Sequence, residues 1–302
     1  MRNIAILLVA LGLSTHSLQQ TIVLTNDDGW AVAQIRAEYD ALRAAGFQVV
    51  LSAPAENKSG SGSSSAPPSV LAEPCQFDTC PTGLPPEGAN ATDPFLNYVN
   101  SFPVDAVRFG IQTLSPTLLG GRPDFVVSGS NVGNNLGPGI TGSGTVGAAS
   151  EAALEGIPSI AFSGASATAI SYTTLISDPT SRGNQAALIY TILTLKFIQA
   201  LITNPGPISP PRISINVNHA STTNCPTASS FSVILTRICV NAAATDVITC
   251  GIDHLPDESS TIRKGCFSTV SVFDATTKTD VGANTQAVVL EKIQSILTCL
   301  PA

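Results

Sequence analysis

The stretch Thr21-Ile-Val-Leu-Thr-Asn-Asp-Asp-Gly-Trp30 decides how this chain folds. Residues 21–25 are β-branched and apolar, the pattern of a parallel strand buried on both faces. The run ends abruptly in Asn26-Asp27-Asp28-Gly29. In an open α/β sheet, ligands sit beyond the carboxyl ends of the strands. Two adjacent carboxylates at such a place repel each other and resist desolvation unless a cation compensates them. Two readings therefore fit the turn. One is a hard divalent metal held by oxygen ligands. The other is a strand-to-helix turn with Asp as N-cap and Gly at positive φ.

Working outward, residues 31–46 have helical period, with Ile35, Tyr39, Leu42 and Ala45 on one side and Gly46 as a stop. Residues 47–52 form a second buried strand, closed by Ala53-Pro54. A right-handed crossover sets the end of this strand beside the end of the first. Ser59 follows, heading a Ser/Gly run that begins where a ligand would sit. Residues 66–94, with seven prolines, read as a surface excursion stapled by a Cys75–Cys80 disulfide. Its Asn90-Ala-Thr92 sequon is a better glycan acceptor than Asn57-Lys-Ser59, where a glycan would obstruct Ser59. A helix starts near Phe102, with Asp105 as a first-turn carboxylate.

Residues 123–130 are a third buried strand, ending in Asn131-Val-Gly-Asn-Asn135. Then comes Gly142-Ser-Gly-Thr-Val-Gly147, leading into a helix over 148–155 and a fourth strand over 159–163. The glycine spacing matches G-x-G-x-x-G only formally. It does not follow the first strand, and no acidic residue closes the next strand to hold a ribose. Glycines and hydroxyls at a helix start still aim backbone N–H groups at an anion. Further on, the pattern gives an apolar helix over 184–200, a fifth strand over 212–217, β runs over 231–240 and 267–273, and a closing helix over 288–297.

Hydrophobic content of 43% against 12% charged residues allows a sizeable core in 302 residues. A net charge of −7 opposes binding to a nucleic-acid polymer. No apolar run beyond the N-terminus reads as a bilayer span, so no membrane is expected. Residues 1–17 read as a secretory signal, from Arg2, the apolar 4–13 run and small residues at Thr15 and Ser17. The expected location is extracellular, where disulfides form. Besides Cys75 and Cys80 there are five cysteines, Cys225, Cys239, Cys250, Cys266 and Cys299, whose partners the spacing does not assign. Seven is odd, so at least one is left unpaired within the chain.

Four motifs together resemble the stationary-phase survival protein (SurE) family of phosphatases and nucleotidases. They are Leu24-Thr-Asn-Asp-Asp-Gly-Trp30; Ala53-Pro54 with Ser59-Gly60; Val127-Ser-Gly-Ser-Asn131-Val-Gly-Asn-Asn135; and Ser143-Gly-Thr-Val-Gly-Ala-Ala149 through Glu151 and Gly156-Ile-Pro158. Ile215-Asn-Val-Asn218 agrees more weakly. The resemblance implies a Rossmann-like three-layer α/β core with a mainly parallel sheet over 18–220 and a β-rich C-terminal extension over 221–302. It implies one divalent ion per subunit, Mg²⁺ or Mn²⁺, at Asp27, Asp28, Ser59 and Asn131. It implies phosphate contacts from Asn26, Asn135, Ser143, Gly144 and Thr145, and a homo-oligomer, dimer or tetramer. Ser130 departs from the family's apolar residue at that position, Ser101-Phe102 from its Gly-Thr, and the 66–94 insertion is unusual.

The expected activity is metal-dependent hydrolysis of nucleoside monophosphates or other small phosphate monoesters. Asp27 and Asp28 are the candidate catalytic carboxylates, orienting a water or, alternatively, forming an aspartyl-phosphate. Neither His219 nor His254 lies in a motif, and no G-x-S-x-G elbow is present. A secreted binding protein with the same site and no turnover is the other function class.

Overall fold

The computed structural model describes residues 19–166 and 168–301; the signal-like segment 1–17 lies outside them. At its centre is β1 (Thr21–Thr25), paired in parallel with β2 (Gln48–Pro54) on one side and β5 (Phe125–Val132) on the other. Successive side chains of a strand face opposite ways. Accordingly Ile22 and Leu24 join one buried cluster, with Ile35, Leu42, Phe197 and Ile198, while Val23 joins another, with Val107, Val126 and Ala148. Two covered faces are why the run is apolar throughout.

The first face is covered by α1 (Ala33–Ala44), which packs on α5 (Arg182–Thr203), which in turn packs on α7 (Ala283–Ile293). The second face is covered by α2 (Pro103–Phe109), its π-helical continuation Gly110–Leu119, and α3 (Gly144–Leu154). Two short helices complete the set, α4 (Thr174–Ser177) against α1 and α6 (Glu258–Thr261) against β9. The remaining strands are β3 (Glu87–Ala89), β4 (Leu96–Val99), β6 (Ser159–Gly164), β7 (Ile213–His219), β8 (Ser232–Thr236), β9 (Phe267–Asp274) and β10 (Thr279–Asp280). The order across the sheet is β10-β9-β7-β6-β5-β1-β2-β4-β3, with β8 also on β9. This is a Rossmann-like α/β fold. The chain runs outward from β1 through β2 to β4, then returns to β5 on the other flank of β1. The β1/β5 crevice is therefore the switch point where such sheets bind ligands.

Several sequence expectations change. The β-rich extension after residue 220 is present, and its strands join the core sheet, a pairing the sequence did not indicate: β9 runs antiparallel to β7 along its whole length. The 66–94 excursion carries β3, the outermost strand, and β4 was not foreseen. Helix α3 begins at Gly144, so the glycine-rich segment is its first turn rather than a preceding loop. Helix α5 has 22 residues and is apolar enough to cross a bilayer by length and composition, contrary to the sequence expectation. It is instead a packed helix of this core, burying Tyr190, Leu193, Phe197 and Leu201. Ala45 is exposed, whereas Gln34, Arg36 and Glu38 are buried, because α1 is enclosed by α5 as well as by the sheet.

Cys75 and Cys80 pair, as do Cys225 with Cys266 and Cys250 with Cys299, leaving Cys239 free and exposed.

Candidate active site

Asn26, Asp27 and Asp28 follow β1 directly and are all buried. The turn is shaped by Asn26, whose amide nitrogen donates to Gly29 O at 3.0 Å and whose Oδ1 accepts from Gly29 N–H at 3.2 Å. Both ends of the amide take part in shaping the turn, and the second N–H of the amide stays available for the expected phosphate contact. Gly29 adopts φ +108°, and a side chain there would collide with Gln76 Oε1 at 2.3 Å. Gln76 donates to Asp28 O at 2.8 Å, and Thr79 accepts from the Trp30 indole at 3.0 Å. The Cys75–Cys80 loop is thus fastened across the acidic turn.

The two carboxylates have different partners. Asp27 Oδ1 accepts from the Thr145 hydroxyl at 2.6 Å. Burial raises the Asp27 pKa, opposed by that hydroxyl and by backbone N–H groups, those of Thr145 and Gly144 among them. Asp28 Oδ2 accepts from Val132 N–H at 2.7 Å. Burial and the neighbouring Asp27 charge push the Asp28 carboxyl up to about 7, against the pull of Val132 N–H and the Ser59 hydroxyl. No arginine or lysine compensates either carboxylate among the described residues.

Asn131 sits at a bulge, where the β5–β6 register breaks between Ser128 and Asn131, next to the Val132 N–H that Asp28 accepts from. Its amide nitrogen donates to Gly133 O at 2.6 Å, while its Oδ1 is buried without a partner. An orphaned buried carbonyl oxygen is costly unless something outside the protein's own donors completes it. Ser61 Oγ is likewise buried and unpartnered, close to Asp27 across Gly144. Two carboxylates, an amide oxygen and hydroxyls suit a hard cation. Among the described residues no cluster of three or more His, Cys, Asp or Glu offers a softer alternative. The residues present fit a divalent ion.

The second arm comes from α3. Ser143 is its N-cap, accepting from Val146 N–H at 3.1 Å. A side chain at Gly144 would fall 2.8 Å from Asp27 Cβ and 2.9 Å from Ser61 Oγ, and one at Gly147 only 1.9 Å from Gly62 O. These glycines permit close backbone approach, and the Ser/Gly run after β2 is packed against α3 through Gly62 N–H to Gly142 O at 3.0 Å. Asn135 Nδ2 lies 2.9 Å from Ser163 Oγ and 3.4 Å from Thr145 Oγ1. Its backbone is held by Asn216 and Asn218 from β7.

Asp27, Asp28, Ser59, Asn131, Asn135, Ser143, Gly144 and Thr145 therefore converge on one end of the sheet. Sequence reasoning missed Ser61, Gln76, Ser163 and Glu38. Glu38, buried on α1, accepts from Ser130 N–H at 3.0 Å and lies 3.2 Å from its hydroxyl, which accounts for a serine where an apolar residue was expected. The signal for Ser61 was its place two residues after Ser59; Gln76 lies in an insertion whose path the sequence does not reveal. His219 is buried between aromatic rings, and burial pushes its pKa down to about 3. It packs and does not serve as a base here.

The family model described as Survival protein SurE matches residues 22–247. An acid phosphatase of Yarrowia lipolytica is 43% identical over 148 residues, covering 48% of this chain and 41% of that protein. A 5′-nucleotidase SurE of Geobacter metallireducens is 42% identical over 142 residues, covering 47% and 48%. The chain thus spans about half the length of the curated relatives it matches. The crystal structure of SurE protein from Aquifex aeolicus matches with a TM-score of 0.58 at 24% identity, over 84% of this chain and 93% of that one.

Proposed function

This chain belongs to the SurE family, and from that premise we propose that it is a divalent-metal-dependent phosphomonoesterase acting on nucleoside monophosphates or other small phosphate monoesters. The observation that carries the reading is the uncompensated Asp27–Asp28 pair, with the orphaned Asn131 Oδ1 on the residue next to Val132, whose N–H donates to Asp28. A bound Mg²⁺ or Mn²⁺ supplies charge neutralisation and Lewis acidity toward phosphoryl oxygen and water. Asp27, Asp28, Ser59 and Asn131 would hold it. Asn135, Ser143, Gly144 and Thr145 orient the phosphoryl oxygens, with Ser61 beside them. Closeness of Gly144 to Asp27 keeps this arm tight. Fixed donors of this kind stabilise developing phosphoryl charge without rearranging during the reaction. Secretion is part of the proposal, supported by three disulfides that suit an oxidising compartment.

The test is release of inorganic phosphate from adenosine 5′-monophosphate and p-nitrophenyl phosphate, with Mg²⁺ or Mn²⁺ and after chelation. Chelator-sensitive release is expected. Binding of these esters without release would make the protein a binding module instead.

A further inference from the structure

A second cavity, of about 550 Å³, opens at the carboxyl ends of β6 and β7, next to the β1/β5 crevice. Its lining lies close in the chain to a site residue. Ser163 contacts Asn135, and Ala165 and Ser166, which line the cavity, follow it in the chain. Three residues of extended backbone span no more than about 11 Å. The loop carrying Asn131 and Asn135 is also fastened to both rims. Gly133 N–H donates to Gly164 O at 2.9 Å, and Asn134 Nδ2 lies 3.2 Å from Asn218 Oδ1 and from His219 O. The leaving group of an ester whose phosphoryl sits at Asn135 and Thr145 has this cavity within reach.

The lining defines what fits. Ser166 Oγ lies 3.2 Å from Ser221 Oγ and 2.8 Å from Thr222 Oγ1, an ordered hydroxyl cluster whose protons can rotate toward a ligand. No aromatic ring lines the cavity among the described residues. Tyr190 lies below, its hydroxyl accepting from Ser166 N–H at 3.0 Å and donating to Ala220 O at 3.0 Å. A nucleobase finds no stacking face there, whereas a polyol finds many partners. Arg182 also lines the cavity, exposed and without a hydrogen bond or ion pair among the described residues. Guanidinium forks recognise phosphate and carboxylate bidentately.

We propose that this cavity receives the leaving group, and that it selects polyhydroxylated phosphate monoesters bearing a second anionic group, held by Arg182. The proposal rests on the phosphomonoesterase reading above. The experiment compares kcat/KM for fructose 1,6-bisphosphate, fructose 6-phosphate, adenosine 5′-monophosphate and p-nitrophenyl phosphate, with Mg²⁺ or Mn²⁺. The wild type should favour the bisphosphate over fructose 6-phosphate by about tenfold, the scale of one charge-assisted pair. Arg182→Ala should bring that ratio near one, chiefly through KM, and Arg182→Lys should retain part of it. Equal use of both sugar phosphates by the wild type, or an unchanged ratio in Arg182→Ala, overturns the proposal while p-nitrophenyl phosphate is still hydrolysed. A preference for adenosine 5′-monophosphate over the bisphosphate overturns it too. If no ester is hydrolysed, p-nitrophenyl phosphate included, the phosphomonoesterase reading itself fails and takes this one with it.

Discussion

Replacing Glu258 by Gln should flatten the dependence of stability on pH. Glu258 is fully buried at the start of α6, where Oε1 accepts from Gly137 N–H at 2.8 Å and Oε2 accepts from Ser271 Oγ at 2.9 Å and Asn216 Nδ2 at 3.1 Å. Burial outweighs these bonds and pushes the carboxyl from 4.5 up to about 8. Between those values the native state holds a proton that the unfolded chain releases. The associated stability is complete below about 4.5 and is lost as the pH rises through about 8. At about 1.4 kcal/mol per pH unit the ceiling is about 5 kcal/mol, and relaxation around the ionised group should leave about 2–3 kcal/mol. Gln matches the neutral acid at two partners, its oxygen facing Gly137 N–H and its amide nitrogen facing Ser271 Oγ; the bond from Asn216 Nδ2 is lost at both pH values and drops out of the pH difference. Urea unfolding at pH 5 and pH 8.5, with disulfides intact and metal chelated, supplies the comparison. The wild type should lose about 2–3 kcal/mol more than Glu258→Gln over that interval. Asp28 and Glu38, both raised to about 7, shift in the same sense but are common to both proteins and cancel. Equal losses would show that Glu258 is ionised and compensated in the native state, and the reasoning would be wrong.

Asp28→Asn should lower phosphatase activity by at least about 100-fold yet raise apo stability at pH 8 by about 1–2 kcal/mol, since it removes one of two repelling carboxylates; near wild-type activity would contradict the metal assignment. Gly144→Ala places a methyl group 2.8 Å from Asp27 Cβ, and should reduce kcat about tenfold or more even though alanine favours a helix by about 1 kcal/mol; unchanged kcat would show that the α3 arm need not approach so closely. Asn131→Ala should raise the Mg²⁺ or Mn²⁺ concentration needed for half-maximal activity, with inhibition by phosphate little changed; a shift in the phosphate curve alone would reverse its role.

Most of the sheet could be read from sequence because its central strands are buried on both faces, which makes them apolar and unambiguous. The pattern around β1, β2, β5, β6 and β7 carries this signal. Strand β4 does not: Leu96-Asn-Tyr-Val99 is short, mixed and next to an edge. The C-terminal strands were visible, but their membership of the same sheet was not. That depends on β9 pairing with β7 across nearly fifty intervening residues, and local pattern carries no information about such a partner. Glu38 and Glu258 were missed for a related reason. A buried carboxyl is recognised by its partners, Ser130 in one case and Gly137, Asn216 and Ser271 in the other, and these come from distant parts of the chain.

The site residues were legible as a set because each follows a strand end or starts a helix, positions the fold brings together. Their division of labour was not legible. Chain order places Ser59 and Asn131 after strands, hence beside a cation, and Ser143 and Thr145 before a helix, hence beside an anion. In the folded protein the anion nearest that helix start is Asp27 itself. The Thr145 hydroxyl donates to it at 2.6 Å, and the Gly144 and Thr145 N–H groups favour its ionised form. The same hydroxyl lies 3.4 Å from Asn135 Nδ2. Thr145 therefore touches both halves of the proposed machinery. Helix-end donors that stabilise the Asp27 carboxylate also make it a better cation ligand, so the phosphate arm tunes the metal arm before any substrate arrives. On this geometry Thr145→Ala moves the metal and phosphate curves together, and only Asn131, with its single orphaned oxygen, separates them.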